Sequence, residues 1–538
     1  MLPAVAVAVL LLLLLPTTHG KQPNILFVLA DDLDNDYKQD RLAIMPNLRR
    51  LREAGVHFIN HVAAQPVCGP SRSSLLAGRY PHNVGYYAND DPPSVANFLA
   101  VVNNTVGTWL TAAGYHTAFV GKFVNGAEKQ VPSGWNFWGA FSTSKGTYNY
   151  YNATPWNVTF DREGKHPITP VVDVPMTGIH QAEFVGAWGV EQMKIAAGAG
   201  LPFFVHTTAT MIHEGTCYGP FKDPSQYARD DPYWEADLSG FGCQAGTNAE
   251  SCSITISACP SDKHKHDFDS LPVPHVQSWN RSATGPLPKP MQPSKSPPLT
   301  AYQSGREDKG YRNRTASAVD LDDMIGVLLQ GIEDLGVADN TYVFFSSDNG
   351  FHLGEHRLLF GKEHPYETDV SLPLYIRGPA IPANSTLLHP TNHLDITATL
   401  VELAGATPKG PPLDGKSFAS ELGPSPGDPA QWRDFSFTEH FENALTWQAI
   451  RRPLSAPRTK FTLWCGDGTM EVFDLDGDRW ELDNTVQGVG ASLAASELPL
   501  AVFLGTCSGA ECSSPTPAKV PKKPLACKNT TKGVEGWW

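Results

Sequence analysis

The chain has 538 residues, with 41 Lys+Arg against 55 Asp+Glu and a formal charge of −14. Charged residues make up 18% and hydrophobic residues 41%, enough for a large buried core, which excludes a globally disordered chain. The acidic balance, with no basic block, argues against nucleic-acid binding, and 47 Gly with 45 Pro exclude a coiled coil or a plain helix bundle.

Residues 4–15 are all apolar and are followed by Pro16, Thr17, Thr18, His19 and Gly20. A bilayer span needs about 20 such residues, so this run reads as a signal-peptide core, cleaved before Lys21; an uncleaved anchor is the alternative. No later stretch approaches that length, so the processed chain is expected to be free of the membrane. Export is also the context in which seven Asn-x-Ser/Thr sequons matter, at Asn103, Asn152, Asn157, Asn280, Asn313, Asn384 and Asn529. The expected location is secreted, extracellular, periplasmic or cell-wall, with a lysosome-like compartment as a variant. Nine cysteines fall into two clusters, 217/243/252/259 and 465/507/512/527, with Cys68 alone. Two local disulfides in each cluster leave Cys68 unpaired. No paired Cys-x-x-Cys supports zinc.

The run Asn24–Ala30 is continuously apolar, as in a buried parallel strand, and similar runs occur at 116–120, 202–207, Thr341–Ser347 and 373–376. Helical patterns lie between them at 45–54, 97–113, 179–197 and 316–336. The alternation predicts an α/β fold with a large, mostly parallel sheet flanked by helices. Residues 217–315 are Cys- and Pro-rich and read as a loop insertion in a domain spanning 21–427. Short strands at 460–464 and 471–475 predict a smaller antiparallel α+β domain over 428–505, followed by a Cys-rich tail, 506–538.

Cys68-Gly69-Pro70-Ser71-Arg72, continuing through Leu75, Ala77 and Gly78, resembles the Cys-x-Pro-Ser-Arg pattern of the sulfatase family. The resemblance implies an alkaline-phosphatase-like fold and conversion of Cys68 by a formylglycine-generating enzyme into formylglycine, an aldehyde hydrated in use. One hydroxyl of the hydrate then attacks sulfur, and the other expels sulfate as the aldehyde re-forms, which is covalent catalysis with a self-resetting nucleophile. Without the rest of the motif, Cys68 would be an ordinary buried thiol beside a turn.

Asp31-Asp32 ends the first predicted strand and Asp348-Asn349-Gly350 ends the strand Thr341–Ser347. Ligands in open α/β sheets bind beyond carboxyl strand ends, and four oxygen-bearing side chains suit one hard divalent ion such as calcium. Alone, such an acidic pair or D-N-G would be a solvated turn. The resemblance makes Asp31, Asp32, Asp348 and Asn349 the ligands of one Ca2+, with residue 68 completing the shell.

Gly121-Lys122 closes a segment similar to the second family motif, whose Lys contacts sulfate; a fixed ammonium neutralises charge as the S–O bond breaks. By the same resemblance Arg72 holds the formylglycine region, Lys362 binds sulfate and assists the leaving group, and His213 protonates the departing alkoxide or phenoxide. Many sulfatases carry a His two residues after the first motif Lys. Here Phe123-Val124-Asn125 follows instead. An amide cannot serve as a base, so either Asn125 fills the space and His352 takes the role, or formylglycine collapse is assisted differently. The Lys-aromatic-aliphatic-Asn pattern resembles the subgroup of N-acetylglucosamine-6-sulfatases and fungal and algal arylsulfatases. A small aryl sulfate or a sulfated saccharide is therefore the expected substrate. A phosphoester or phosphonate hydrolase of the same superfamily is one alternative, and a non-catalytic glycoprotein with an unmodified Cys68 is another.

Overall fold

The central strand β1 (Asn24–Ala30) is buried along its whole length, as its apolar run requires. It pairs in parallel with β8 (Thr341–Ser347) on one side and β7 (Phe203–Thr208) on the other, and β7 pairs in parallel with β4 (His116–Gly121). The computed structural model describes residues 22–35, 41–128, 130–142, 150–151, 153–215, 258–292, 296–441, 445–516 and 518–520. The expected signal peptide, Cys217, Cys243, Cys252 and Cys527, the sequons at Asn152 and Asn529, and the tail beyond 520 lie outside the described residues.

The main sheet has nine strands, and β3 (His61–Val62) pairs separately with β11 (Thr391–Asn392). β5 (Phe137–Ala140) and β6 (Val158–Thr159) complete one edge, and β9 (Leu374–Arg377), β2 (Val56–Phe58) and β10 (Ser385–Leu387) the other. β9 and β6 run against their neighbours, so the sheet is mostly parallel, as expected, but not wholly so. Period-2 alternation in β1 divides the core. Ile25, Phe27 and Leu29 face one cluster, and Leu26, Val28 and Ala30 face the other. The first cluster is closed by α2 (Cys68–Ala77), α4 (Val106–Ala112) and α7 (His393–Ala404). The second is closed by α1 (Pro46–Glu53), α5 (Gln181–Gly198) and α6 (Ala301–Asp334). Each fully buried Leu or Phe contributes about 1.5–3 kcal/mol, so the two layers clamp the strand ends rigidly.

Two expectations change. The helix expected over 97–113 is two helices, α3 (Pro92–Val101) and α4, because Asp91 caps the first and Thr105 starts the second in extended geometry. α6 begins at Ala301, inside the stretch read as loop; Thr300 and Gln303 form a capping box that starts it early. Between 258 and 300 the described residues are loop, with a 3-10 turn at Lys289–Met291 and isolated bridges.

The C-terminal part forms an antiparallel sheet of β12 (Ser436–His440), β13 (Trp447–Arg452), β14 (Thr459–Trp464) and β15 (Met470–Asp474), packed on α8 (Ala491–Leu504). Cys507 and Cys512 form a disulfide within that cluster. Cys259 and Cys465 are also disulfide-bonded. Among the described residues Cys68 is the free thiol, as the odd count predicts. No helix among them is long and apolar enough to cross a membrane.

Candidate active site

Four adjacent parallel strands, β8-β1-β7-β4, end at the same edge, and the sequence-predicted residues leave from those ends. β1 delivers Asp31 and Asp32, β8 delivers Asp348 and Asn349, β4 delivers Lys122, and the loop after β7 delivers His213. The carboxyl side of the register is fixed by Ala30 opposite Ser347 and Gly121 opposite Thr208. Cys68 opens α2, so the helix N-terminus points its partial positive charge at this edge. Asp31, Asp32, Cys68 and His213 each place an atom within 4.8 Å of the others.

Cations interleave these acids. Lys122 Nζ is 2.6 Å from Asp31 Oδ2. Arg72, one turn into α2, donates from Nε to Asp348 Oδ2 at 2.7 Å and from Nη1 to the Lys122 carbonyl at 2.9 Å. Lys362 binds Asp32 Oδ1, and its Nζ stands 2.9 Å from Cys68 Sγ. Asp31, Asp32, Asp348 and Asn349 are fully buried.

Burial alone would raise the Asp32 carboxyl, but Lys362, His213 and Lys122 outweigh it and hold the group below the usual range. Asp348 is lowered against its burial by Arg72 and Lys122. Burial pushes the Cys68 thiol up to about 12, against Lys122 and Lys362. A thiol held protonated is a poor nucleophile. Burial lowers His213 despite Asp32, whose Oδ2 is 3.6 Å from His213 Nε2. His213 Nδ1 meets the Glu214 carbonyl at 2.5 Å. A carbonyl only accepts, so Nδ1 carries a proton and Nε2 faces the acids.

The donor set fits a hard cation. Asn349 spends its Nδ2 protons on Asp32 Oδ1, at 2.6 Å, and on the Gly350 carbonyl, at 2.8 Å. That leaves Asn349 Oδ1 buried without a hydrogen-bond partner, and Asp32 Oδ2 is in the same state. Each such orphan costs about 1–3 kcal/mol, a penalty that a bound ion removes.

Two other expected residues, Asn125 and His352, sit nearby. Asn125 accepts at its carbonyl from Tyr86 Oη, and Tyr86 packs where a Gly69 side chain would stand, which explains the glycine after Cys68. His352 lies in a neighbouring cluster: its Nδ1 is 2.9 and 3.0 Å from the two Asp369 oxygens. Its Nε2 lies against the bare face of Gly361, the residue before Lys362. Ser71, His393 and Arg314 were not singled out by sequence. Ser71 Oγ donates to the Asp348 carbonyl at 2.5 Å and meets His393 Nδ1 at 2.9 Å, while His393 Nε2 meets the Ser347 carbonyl at 2.9 Å. The Ser in the Cys68 motif was the available signal for this brace. Arg314 had none.

The family model described as Sulfatase matches residues 23–406. The chain is 27% identical over 539 residues to an arylsulfatase of Volvox carteri, covering 92% of this chain and 76% of that one. It is 24% identical over 544 residues to an N-acetylglucosamine-6-sulfatase of Capra hircus, covering 92% and 86%. A solved structure of a protein in complex with its substrate D-glucosamine-2-N,6-O-disulfate aligns with TM-score 0.63 at 22% identity, covering 89% of this chain and 95% of the other. A phosphonate monoester hydrolase from Silicibacter pomeroyi aligns with TM-score 0.56 at 19% identity, covering 88% and 93%. These two likenesses establish the fold.

Proposed function

Because the chain belongs to the sulfatase family and is a sulfuric ester hydrolase, we propose that it is a secreted enzyme acting on aryl sulfates or sugar 6-sulfates. In this reading the nucleophile is a formylglycine made from Cys68, beside one calcium ion. The observation that carries the reading is the position of Cys68: first residue of α2, within reach of Asp31 and Asp32 and touched by Lys362. The arylsulfatase and N-acetylglucosamine-6-sulfatase relatives support the substrate class. We likewise read 1–20 as a removed signal, 21–427 as the catalytic domain, and 428–505 with the 506–538 tail as C-terminal additions.

Asp31, Asp32, Asp348 and Asn349 would hold the ion, with residue 68 beside them, and the ion would supply divalent charge against sulfate oxygens. A hydrated formylglycine would supply an oxygen nucleophile where the thiol is protonated.

Three carboxylates, Asp31, Asp32 and Asp348, are matched by three cations, Arg72, Lys122 and Lys362. With a divalent ion beside it, this balanced set would present a net positive cavity to an anionic ester. Arg72 is fastened to Asp348 and to the Lys122 carbonyl, so it braces two strand ends. Lys122 and Lys362 can turn their ammonium protons to sulfate oxygens and neutralise charge there. His213 in its imidazolium form carries a proton on Nε2, the atom facing the site, for the leaving alkoxide or phenoxide.

The test is hydrolysis of p-nitrophenyl sulfate, glucosamine 6-sulfate and a phenyl phosphonate ester by the full chain, before and after EDTA treatment and calcium re-addition. The reading expects sulfate esters to be preferred, activity to fall with EDTA, and calcium to restore it. Preference for the phosphonate, or full activity after EDTA, overturns it.

A further inference from the structure

Arg314 lies in the first half of α6, inside the Asn313 sequon but in no catalytic motif. It is 5% exposed, and its guanidinium touches three segments that carry site residues. Nη1 donates to the Ile212 carbonyl at 3.0 Å, one residue before His213. Nη2 donates to the carbonyl of Asp32 itself. Its central carbon lies 4.1 Å from the Phe351 ring centroid, two residues beyond Asn349.

Burying a guanidinium is expensive unless a carboxylate matches it. Here Asp34 stands 3.8 Å away and is held more closely by Arg41, at 2.5 Å. The donors of Arg314 are directed at carbonyls instead. The fork geometry of arginine allows two carbonyls from different chain segments to be held at once, which an ammonium cannot reproduce.

The Asp32 carbonyl needs holding. Asp32 has φ 63°, in the left-handed region, which costs a non-glycine residue about 1–2 kcal/mol. That conformation turns the chain sharply at the end of β1 and sets where the carboxylate points. The peptide is pinned at both ends: the Asp32 N–H donates to Asp348 Oδ1 at 3.1 Å, and its carbonyl accepts from Arg314. The next residue is pinned as well, since the Leu33 N–H donates to Ser347 Oγ at 2.8 Å.

We propose that Arg314 is a positioning residue for the calcium site: it holds Asp32 in its strained, ligating conformation and ties that ligand to the His213 segment through Ile212. The inference rests on the calcium reading above. Electrostatics gives the discriminating sign. Arg314 is a cation behind a cation site, so by charge alone its removal would tighten calcium binding. If orientation is its role, removal weakens binding.

The experiment is isothermal titration of calcium into the EDTA-treated full chain, for the wild type, Arg314→Lys, Arg314→Gln and Arg312→Lys, with circular dichroism on each. Arg312 is the control: it sits on the same helix, and its Nε donates to the Leu271 carbonyl at 2.9 Å. Calcium binding about 10–100-fold weaker in both Arg314 variants is expected, as for other residues that orient metal ligands, with Arg312→Lys unchanged. Equal or tighter binding in the folded Arg314 variants overturns the proposal and leaves the calcium reading standing. No calcium binding by the wild type overturns the calcium reading, and this proposal with it. If Arg314→Gln does not fold, Arg314→Lys, which keeps the charge, carries the same outcomes.

Discussion

The Lys362 ammonium stands 2.9 Å from the Cys68 sulfur while it also binds Asp32. One side chain thus links the proposed nucleophile position to a carboxylate of the proposed metal site. Replacing Lys362 by Met is expected to lower kcat/KM by about 100–1,000-fold, the scale for one preorganised charge-stabilising donor. Calcium affinity, measured by titration, is expected to hold or rise, because a cation is removed from Asp32. A Lys362→Met enzyme within tenfold of wild type contradicts this role.

The loop carrying Lys362 is held from the C-terminal sheet. Trp447 of β13 donates from Nε1 to the Glu363 carbonyl at 2.8 Å, and the Glu363 N–H donates to the Pro66 carbonyl at 3.2 Å. Glu363 has φ 87°, so this turn depends on such restraints. Trp447→Phe removes the donor and keeps most of the packing. A fall in kcat/KM of about 5–30-fold is expected, the worth of one buried hydrogen bond of about 1–2 kcal/mol, with the secondary structure retained by circular dichroism. Unchanged kinetics would show that the sheet does not support Lys362.

Strand-end chemistry was legible in the sequence because it needs only local patterns. The apolar runs ending in Asp31-Asp32 and Asp348-Asn349 fixed both the strands and the edge from which those side chains leave. Cys68, Arg72, Lys122, His213 and Lys362 come together at that edge. Reversals such as β9 are set by pairing with β8 and β2, and no local pattern encodes them. Arg314 escaped notice for a related reason. Its helix begins in a segment whose Cys and Pro content reads as loop, and its partners are backbone carbonyls, which leave no trace in residue type. His352 was visible as a titratable residue near Asn349, but its pairing with Asp369 comes from the fold.

Buried neutral histidines predict acid lability. Burial pushes His206 down to about 3, with Arg72 adding to the shift, and its ring stacks on Phe119 with centroids 5.0 Å apart. Burial likewise pushes His393 down to about 4. An unfolded histidine takes up its proton near pH 6.5. Between that pH and about 3–4 the unfolded chain binds protons that the folded chain refuses, so stability rises with pH there and is lost as pH falls. Each histidine is expected to remove about 2 kcal/mol between pH 7.5 and pH 5. Urea unfolding at both pH values checks this, and His206→Gln is expected to flatten the dependence. A midpoint independent of pH contradicts it.

The sequons divide by exposure. Asn103, Asn157 and Asn384 are exposed, whereas Asn280 and Asn313 are half-buried. The Asn280 side-chain oxygen accepts from the Leu299 N–H at 2.7 Å, and Asn313 sits inside α6, next to Arg314. A bulky glycan fits the first three positions and disturbs the last two. Glycopeptide mass spectrometry is expected to find glycans at 103, 157 and 384 and none at 313. A glycan on Asn313 in active enzyme contradicts this.

The most direct measurement is the mass of the tryptic peptide 53–72, which spans Cys68, from protein that hydrolyses sulfate esters. An aldehyde in place of the Cys68 thiol is expected. An intact Cys68 thiol in a preparation with full sulfatase activity would contradict it.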